Sequence, residues 1–80
     1  MIRVRVRWFA AYRELAGTES ESIKTHATTP AELFEEMKGR HESLGGRSSA
    51  LVAIDDQMSD WSAQLRDGNE VLFFPPVSGG

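Results

Sequence analysis

The chain has 80 residues, 9 basic and 12 acidic, for a formal net charge of -3, which argues against a nucleic-acid binder driven by phosphate neutralisation. At this length folding buries only about 60% of the unfolded chain's surface, which leaves room for one modest core and no second one. With 40% hydrophobic and 26% charged residues the chain is far from the composition of disorder, and with no cysteine it has no disulfide, thiolate metal site or cysteine nucleophile.

The N-terminal stretch MIRVRVRWF alternates charge with bulk. It has no continuous apolar core of the signal-peptide kind, and no run approaches the roughly 20 apolar residues needed to cross a bilayer, so a cytosolic protein is expected. In a period-two strand Ile2, Val4, Val6 and Trp8 share the buried face, and Arg3, Arg5 and Arg7 share the solvated one. Phe9 falls out of phase, on the arginine side. In the segment AAYRELAGTES, Tyr12, Leu15 and Ala16 stand at helical spacing, and Gly17 supplies the left-handed residue that ends a short helix. ESIKTHA reads as a second strand with Ile23 inward.

TTPAELFEEMKGRHESLGG carries the main helix. Thr29 is placed to cap it, Pro30 fits the first helical position, and Glu32 completes a capping box by reaching back to the amide of Thr29. Leu33, Phe34, Met37, His41 and Leu44 form the inward side, and Gly45-Gly46 is the expected stop. Leu51 to Ile54 is a third strand, apolar throughout and expected to be buried on both faces, closed by a turn at Asp55-Asp56. Met58, Trp61 and Leu65 then occupy a linking stretch, Asp67-Gly68 is a further turn, and EVLFF is the last strand, ended by Pro75. The order is that of an α+β domain, a mixed sheet with one main helix on one face and the first and last strands side by side.

No element offers an active site. His26 and His41 lie apart without partners at ligand spacing. The adjacent Asp55 and Asp56 suit a turn better than an acid-base pair. The serines lack a strained-turn motif, and Gly45-Gly46 is not followed by the lysine and hydroxyl of a phosphate loop. The unusual feature is the ending, FFPPVSGG. Pro75-Pro76 biases the backbone to an extended polyproline II shape, so that the segment from Pro75 to Gly80 reaches roughly 19 Å from the sheet. Gly79 and Gly80 lack side chains, so a narrow channel in another protein could close around the backbone and meet a terminal carboxylate.

The stretches FAAYRELAG and DGNEVLFFPPVSGG, together with the helix after TPAEL and the strand LVAIDDQ, resemble the small, sulfur-carrying subunit of molybdopterin synthase, within the ubiquitin-like β-grasp sulfur carriers. Asp55 stands where such proteins often have asparagine. The resemblance implies a ubiquitin-like β-grasp domain over residues 1–74 and a flexible C-terminal tail over residues 75–80. It also implies a chemistry that needs no cysteine. An ATP-dependent, E1-like activating enzyme adenylates the carboxylate of Gly80, and a sulfur donor displaces AMP to leave a thiocarboxylate. The large synthase subunit then uses the sulfur to build the dithiolene of molybdopterin from cyclic pyranopterin monophosphate. The carrier itself binds no cofactor, nucleic acid or membrane, and is not catalytic alone.

Two successive partners must then recognise the root of the tail. Phe9, Met58 and Phe74 are the candidates for an exposed apolar patch, with Pro75, Pro76 and Val77 leading to Gly79 and the reacting Gly80. Three alternatives share parts of this pattern: a sulfur carrier for thiazole or cysteine synthesis, a ubiquitin-like modifier joined through Gly80, and an interaction scaffold, which leaves the Gly-Gly ending unexplained.

Overall fold

The computed structural model describes residues 1–76. Strand β1 spans Ile2–Trp8, β2 spans Ser20–Thr25, β3 Leu51–Ile54, β4 Gln57–Ser59 and β5 Glu70–Phe74. They form one sheet in the order β2-β1-β5-β3-β4, with β1 and β5 parallel and every other pair antiparallel. The alternation of the first segment is realised: Val4, Val6 and Trp8 are buried, while Arg3 and Arg5 are exposed. Register carries the same division across the sheet. Val4 lies opposite Ile23, Val6 opposite Val71 and Trp8 opposite Phe73, so one face collects the branched and aromatic side chains of four strands.

Helix α1 covers Ala11–Ala16 and α2 covers Pro30–Arg40. Gly17, at φ 75°, ends α1 as expected and donates its N–H to the Arg13 carbonyl. Tyr12 is the buried residue of α1, whereas Leu15 points outward. Thr29 caps α2 by accepting the Glu32 N–H at 3.2 Å. The return bond falls one residue earlier than the sequence suggests: Glu32 Oε1 accepts from the Thr28 N–H at 2.6 Å and the Thr28 hydroxyl at 2.8 Å. The Thr28 N–H is the main cause that holds the Glu32 carboxyl below the usual glutamate range.

Three expectations need correction. First, α2 stops at Arg40 rather than at the glycine pair. Gly39 weakens the last turn, and His41 leaves helical geometry with its Nε2 2.8 Å from Glu21 Oε2, an oxygen that also accepts from the Trp8 indole N–H. A single 3₁₀ turn, Glu42–Leu44, then delivers Leu44 to the core. Second, the stretch after Asp55-Asp56 is not only a link. Both aspartates take positive φ, 50° and 69°, as a two-residue type I′ hairpin requires, and β4 pairs back on β3 as a fifth strand. Third, β3 is buried on both faces only in its middle: Val52 and Ala53, on opposite faces, are buried, but Leu51 is 54% exposed.

The core lies between the sheet and α2. Phe34 of α2 meets Phe73 edge-on at 5.1 Å, and Trp61 stacks on Phe73 at 5.7 Å from the loop between β4 and β5. That loop is tied to the start of α2 by the bonds Ala31 N–H to Trp61 O and Leu65 N–H to Thr28 O. None of the helices is long and apolar enough to cross a membrane, among the described residues.

Candidate functional site

The two faces of β5 set up the site. Val71 and Phe73 point into the core, so Glu70, Leu72 and Phe74 project from the other face. Opposed residues of an antiparallel pair share a face: Leu51 lies opposite Phe74, Ala53 opposite Leu72, and Met58 opposite Ala53. An apolar row therefore crosses β5, β3 and β4 on the side away from α2. Among the described residues no helix covers it, and Leu51 and Met58 stay exposed.

Phe9 joins this row from the end of β1. Its N–H donates to the Phe73 carbonyl at 3.2 Å, which carries the strand one residue past Trp8, and its ring centroid sits 5.1 Å from that of Phe74. Ala10 then takes φ 52° and ψ -125°, a conformation costly for a residue with a Cβ, and α1 begins at the next residue. This kink turns the chain from the sheet into α1 and leaves Phe9 on the outer face.

Phe9, Ala10, Ala11, Leu51, Met58, Phe74, Pro75 and Pro76 line a groove of about 410 Å³ where the chain leaves the sheet. Phe9 is 51% and Met58 60% exposed, and Phe74 is half-buried between them. The five described residues singled out from the sequence, Phe9, Met58, Phe74, Pro75 and Pro76, are thus brought together. Val77, Gly79 and Gly80 lie outside the described residues. Leu51 was missed, because a continuous apolar run masks the period-two alternation that puts Leu51 and Val52 on opposite faces.

No lining residue is titratable, so the groove can bury apolar surface but can neither move a proton nor hold a metal. Among the described residues no group of three His, Asp or Glu side chains could hold a metal ion. His41 is tied to Glu21, and Asp55 accepts from the Glu70 N–H and the Asn69 amide, which are structural uses.

A five-stranded mixed sheet grasping one main helix, with an apolar face left open where the last strand ends, defines a ubiquitin-like β-grasp protein. A solved structure of that fold, named "Putative molybdopterin converting factor, subunit 1" from Pyrococcus furiosus, superposes with a TM-score of 0.82 and 31% identity, covering 96% of this chain and 100% of that one. The chain belongs to the ThiS family, whose model matches residues 6–80. Among its relatives the molybdopterin synthase sulfur carrier subunit of Escherichia coli (strain K12) is 31% identical over 80 residues, covering 96% of this chain and 99% of that protein. A chain from the complex of subunits 1 and 2 of molybdopterin-converting factor from Helicobacter pylori 26695 is 28% identical with a TM-score of 0.67, covering 99% of this chain and all of that one.

Proposed function

We propose that this chain is the sulfur-carrying small subunit of a molybdopterin synthase and that the main-chain carboxylate of Gly80 is its reagent. A carboxylate is a poor electrophile because its charge repels nucleophiles and oxide is a hopeless leaving group. In the activating enzyme a carboxylate oxygen attacks the α-phosphorus of ATP and pyrophosphate leaves. A sulfur nucleophile from the donor then attacks the acyl carbon, and AMP departs with the oxygen that bridged to phosphorus. Where that nucleophile is a donor persulfide, a second thiol attacks the donor's sulfur in the resulting acyl disulfide and the S–S bond breaks. The donor and that thiol are left joined as a disulfide, and Gly80 departs as a thiocarboxylate, a soft nucleophile for the pterin precursor held by the large subunit. Two such carriers would supply the two sulfurs of a dithiolene.

The observation that carries this reading is the groove at the root of the C-terminal segment, with Phe9, Leu51, Met58 and Phe74 side by side on an uncovered sheet face. An apolar patch that adjoins the outgoing chain lets each partner grip the domain while it receives the residues beyond Pro76. The relative from Helicobacter pylori, in a complex with its second subunit, supports a large-subunit partner. The reaction belongs in the cytosol, and ATP is consumed by the activating enzyme while the carrier binds no cofactor.

The test is intact-mass analysis after incubation with ATP, an activating enzyme and a sulfur donor. Replacement of one oxygen by sulfur at Gly80 is expected. An unchanged mass with an enzyme active on its own carrier refutes the proposal. One residue appended after Gly80 should abolish the mass change, whereas an interaction scaffold would tolerate it.

A further inference from the structure

The outer face of the sheet has a second half that the groove does not use. On β1 and β2 it presents Arg3, Arg5, Arg7 and Lys24, and among the described residues Glu70 is the one acid projecting from the strands on that face. Arg7 is held by Glu70 at 3.1 Å, and Arg5 bonds the Ser20 hydroxyl. Asp67 lies at the start of β1, beside Arg3 and Lys24, and its Oδ1 accepts the Arg3 backbone N–H at 2.8 Å. Arg3 and Lys24 are directly opposed, an arrangement that destabilises an antiparallel pair. In a chain with 12 acidic residues this costs stability that a glutamate at either position would recover.

The cationic half runs into the groove without a break. Arg7 pairs across β1 and β5 with Leu72, and two residues beyond Arg7 the same strand edge carries Phe9. A stable complex covers about 800 Å² per partner, contributed by some 20–30 residues, far more than the eight that line the groove. A partner centred on Phe74 must overhang a neighbouring surface, and the same sheet face continues onto the arginines.

We infer that Arg3, Arg5 and Lys24 form an electrostatic docking stripe for an acidic surface on the large synthase subunit, the partner that covers the groove in the synthase. The inference rests on the carrier function proposed above and adds how its partner is recognised. The apolar groove sets how long the complex lasts, and the stripe sets how fast and in what orientation it forms. A nucleic acid is disfavoured as the occupant by the acidic remainder of the chain.

Stopped-flow association with the large synthase subunit of the same organism tests this at several salt concentrations. For the unmodified chain the association rate should fall steeply with salt, a result that needs no variant. In Arg3→Gln/Arg5→Gln/Lys24→Gln the rate at low salt should drop at least about tenfold and lose most of its salt dependence, with dissociation nearly unchanged. Its melting temperature should not fall, because a like-charge pair has been removed. Phe74→Ala should do the reverse, speeding dissociation and keeping the salt slope. An unchanged rate and slope in the triple variant overturns the inference while the carrier function stands. If the unmodified chain does not bind the large subunit at all, both fall. Stripe-dependent binding of a single-stranded oligonucleotide at physiological salt also overturns the acidic-protein assignment.

Discussion

The two faces of one sheet put the same strands to different uses. On the inner face Val4, Val6, Trp8, Val52, Val71 and Phe73 are all buried against α2 and the aromatic loop residue Trp61. On the outer face, one residue along each strand, Leu51, Met58 and Phe9 stay more than half exposed beside a row of arginines. A period-two backbone cannot supply one face without the other. In an 80-residue chain with a single main helix, one face is packed by the chain itself and much of the other stays in water.

The sharpest way to break this comparison is to truncate neighbours in β5. Phe73→Ala removes a fully buried ring that meets Phe34, Trp8 and Trp61, and should cost about 3–5 kcal/mol in chemical denaturation, much of the stability of a domain this small. Phe74→Ala, one residue on, should cost under about 1.5 kcal/mol and unfold with the same cooperativity, because the ring is already half in water. Its loss should appear as weaker binding to both partners, by about 2 kcal/mol or roughly thirtyfold in Kd by calorimetry. If the two variants unfold alike, the outer face belongs to the core and the division between faces is wrong.

A subtler test lies where the chain crosses between the faces. Ala10 at φ 52° is strained so that Phe9 can lie on the outer face while Tyr12 turns inward. Ala10→Gly should relieve that strain and raise stability by about 1 kcal/mol, read as a higher denaturation midpoint with unchanged slope. A loss of stability would mean that the kink is not strained.

These contrasts also mark how far the sequence could be read. The strict alternation of IRVRVRW and the helix start at Thr29 and Pro30 are local patterns with one physical interpretation each, and both elements fold as the pattern dictates. The patch was legible for a related reason: Phe9 breaks a clean alternation, and Phe74 takes its face from Phe73. What escaped was decided by distant contacts or by short, ambiguous local patterns. The end of α2 depends on Glu21 reaching His41 from another strand, and β4 is only three residues long, fixed by a turn whose two aspartates lack the usual glycine. Leu51 was hidden because a four-residue apolar run does not reveal that one sheet face lacks a helix.

The smallest expected effect probes the inner face at its least complete point. Tyr12 packs edge-on to Trp8 at 6.0 Å and against Phe34 at 5.8 Å, yet its buried hydroxyl has no hydrogen-bond partner among the described residues. Burial pushes its phenol above the usual tyrosine range. A raised folded-state pKa means that the neutral phenol is favoured in the fold. Its contribution is therefore complete below the unfolded tyrosine pKa and is lost as pH rises through the higher folded value. Tyr12→Phe keeps the ring contacts and removes the unpaired oxygen, so stability near neutrality should stay level or rise by up to about 1 kcal/mol. It should also flatten the alkaline limb of a melting-temperature profile, since a phenylalanine has no proton to lose. A marked loss at neutral pH would show that the hydroxyl has a partner, and the inner face would then be held by a polar contact as well as by packing.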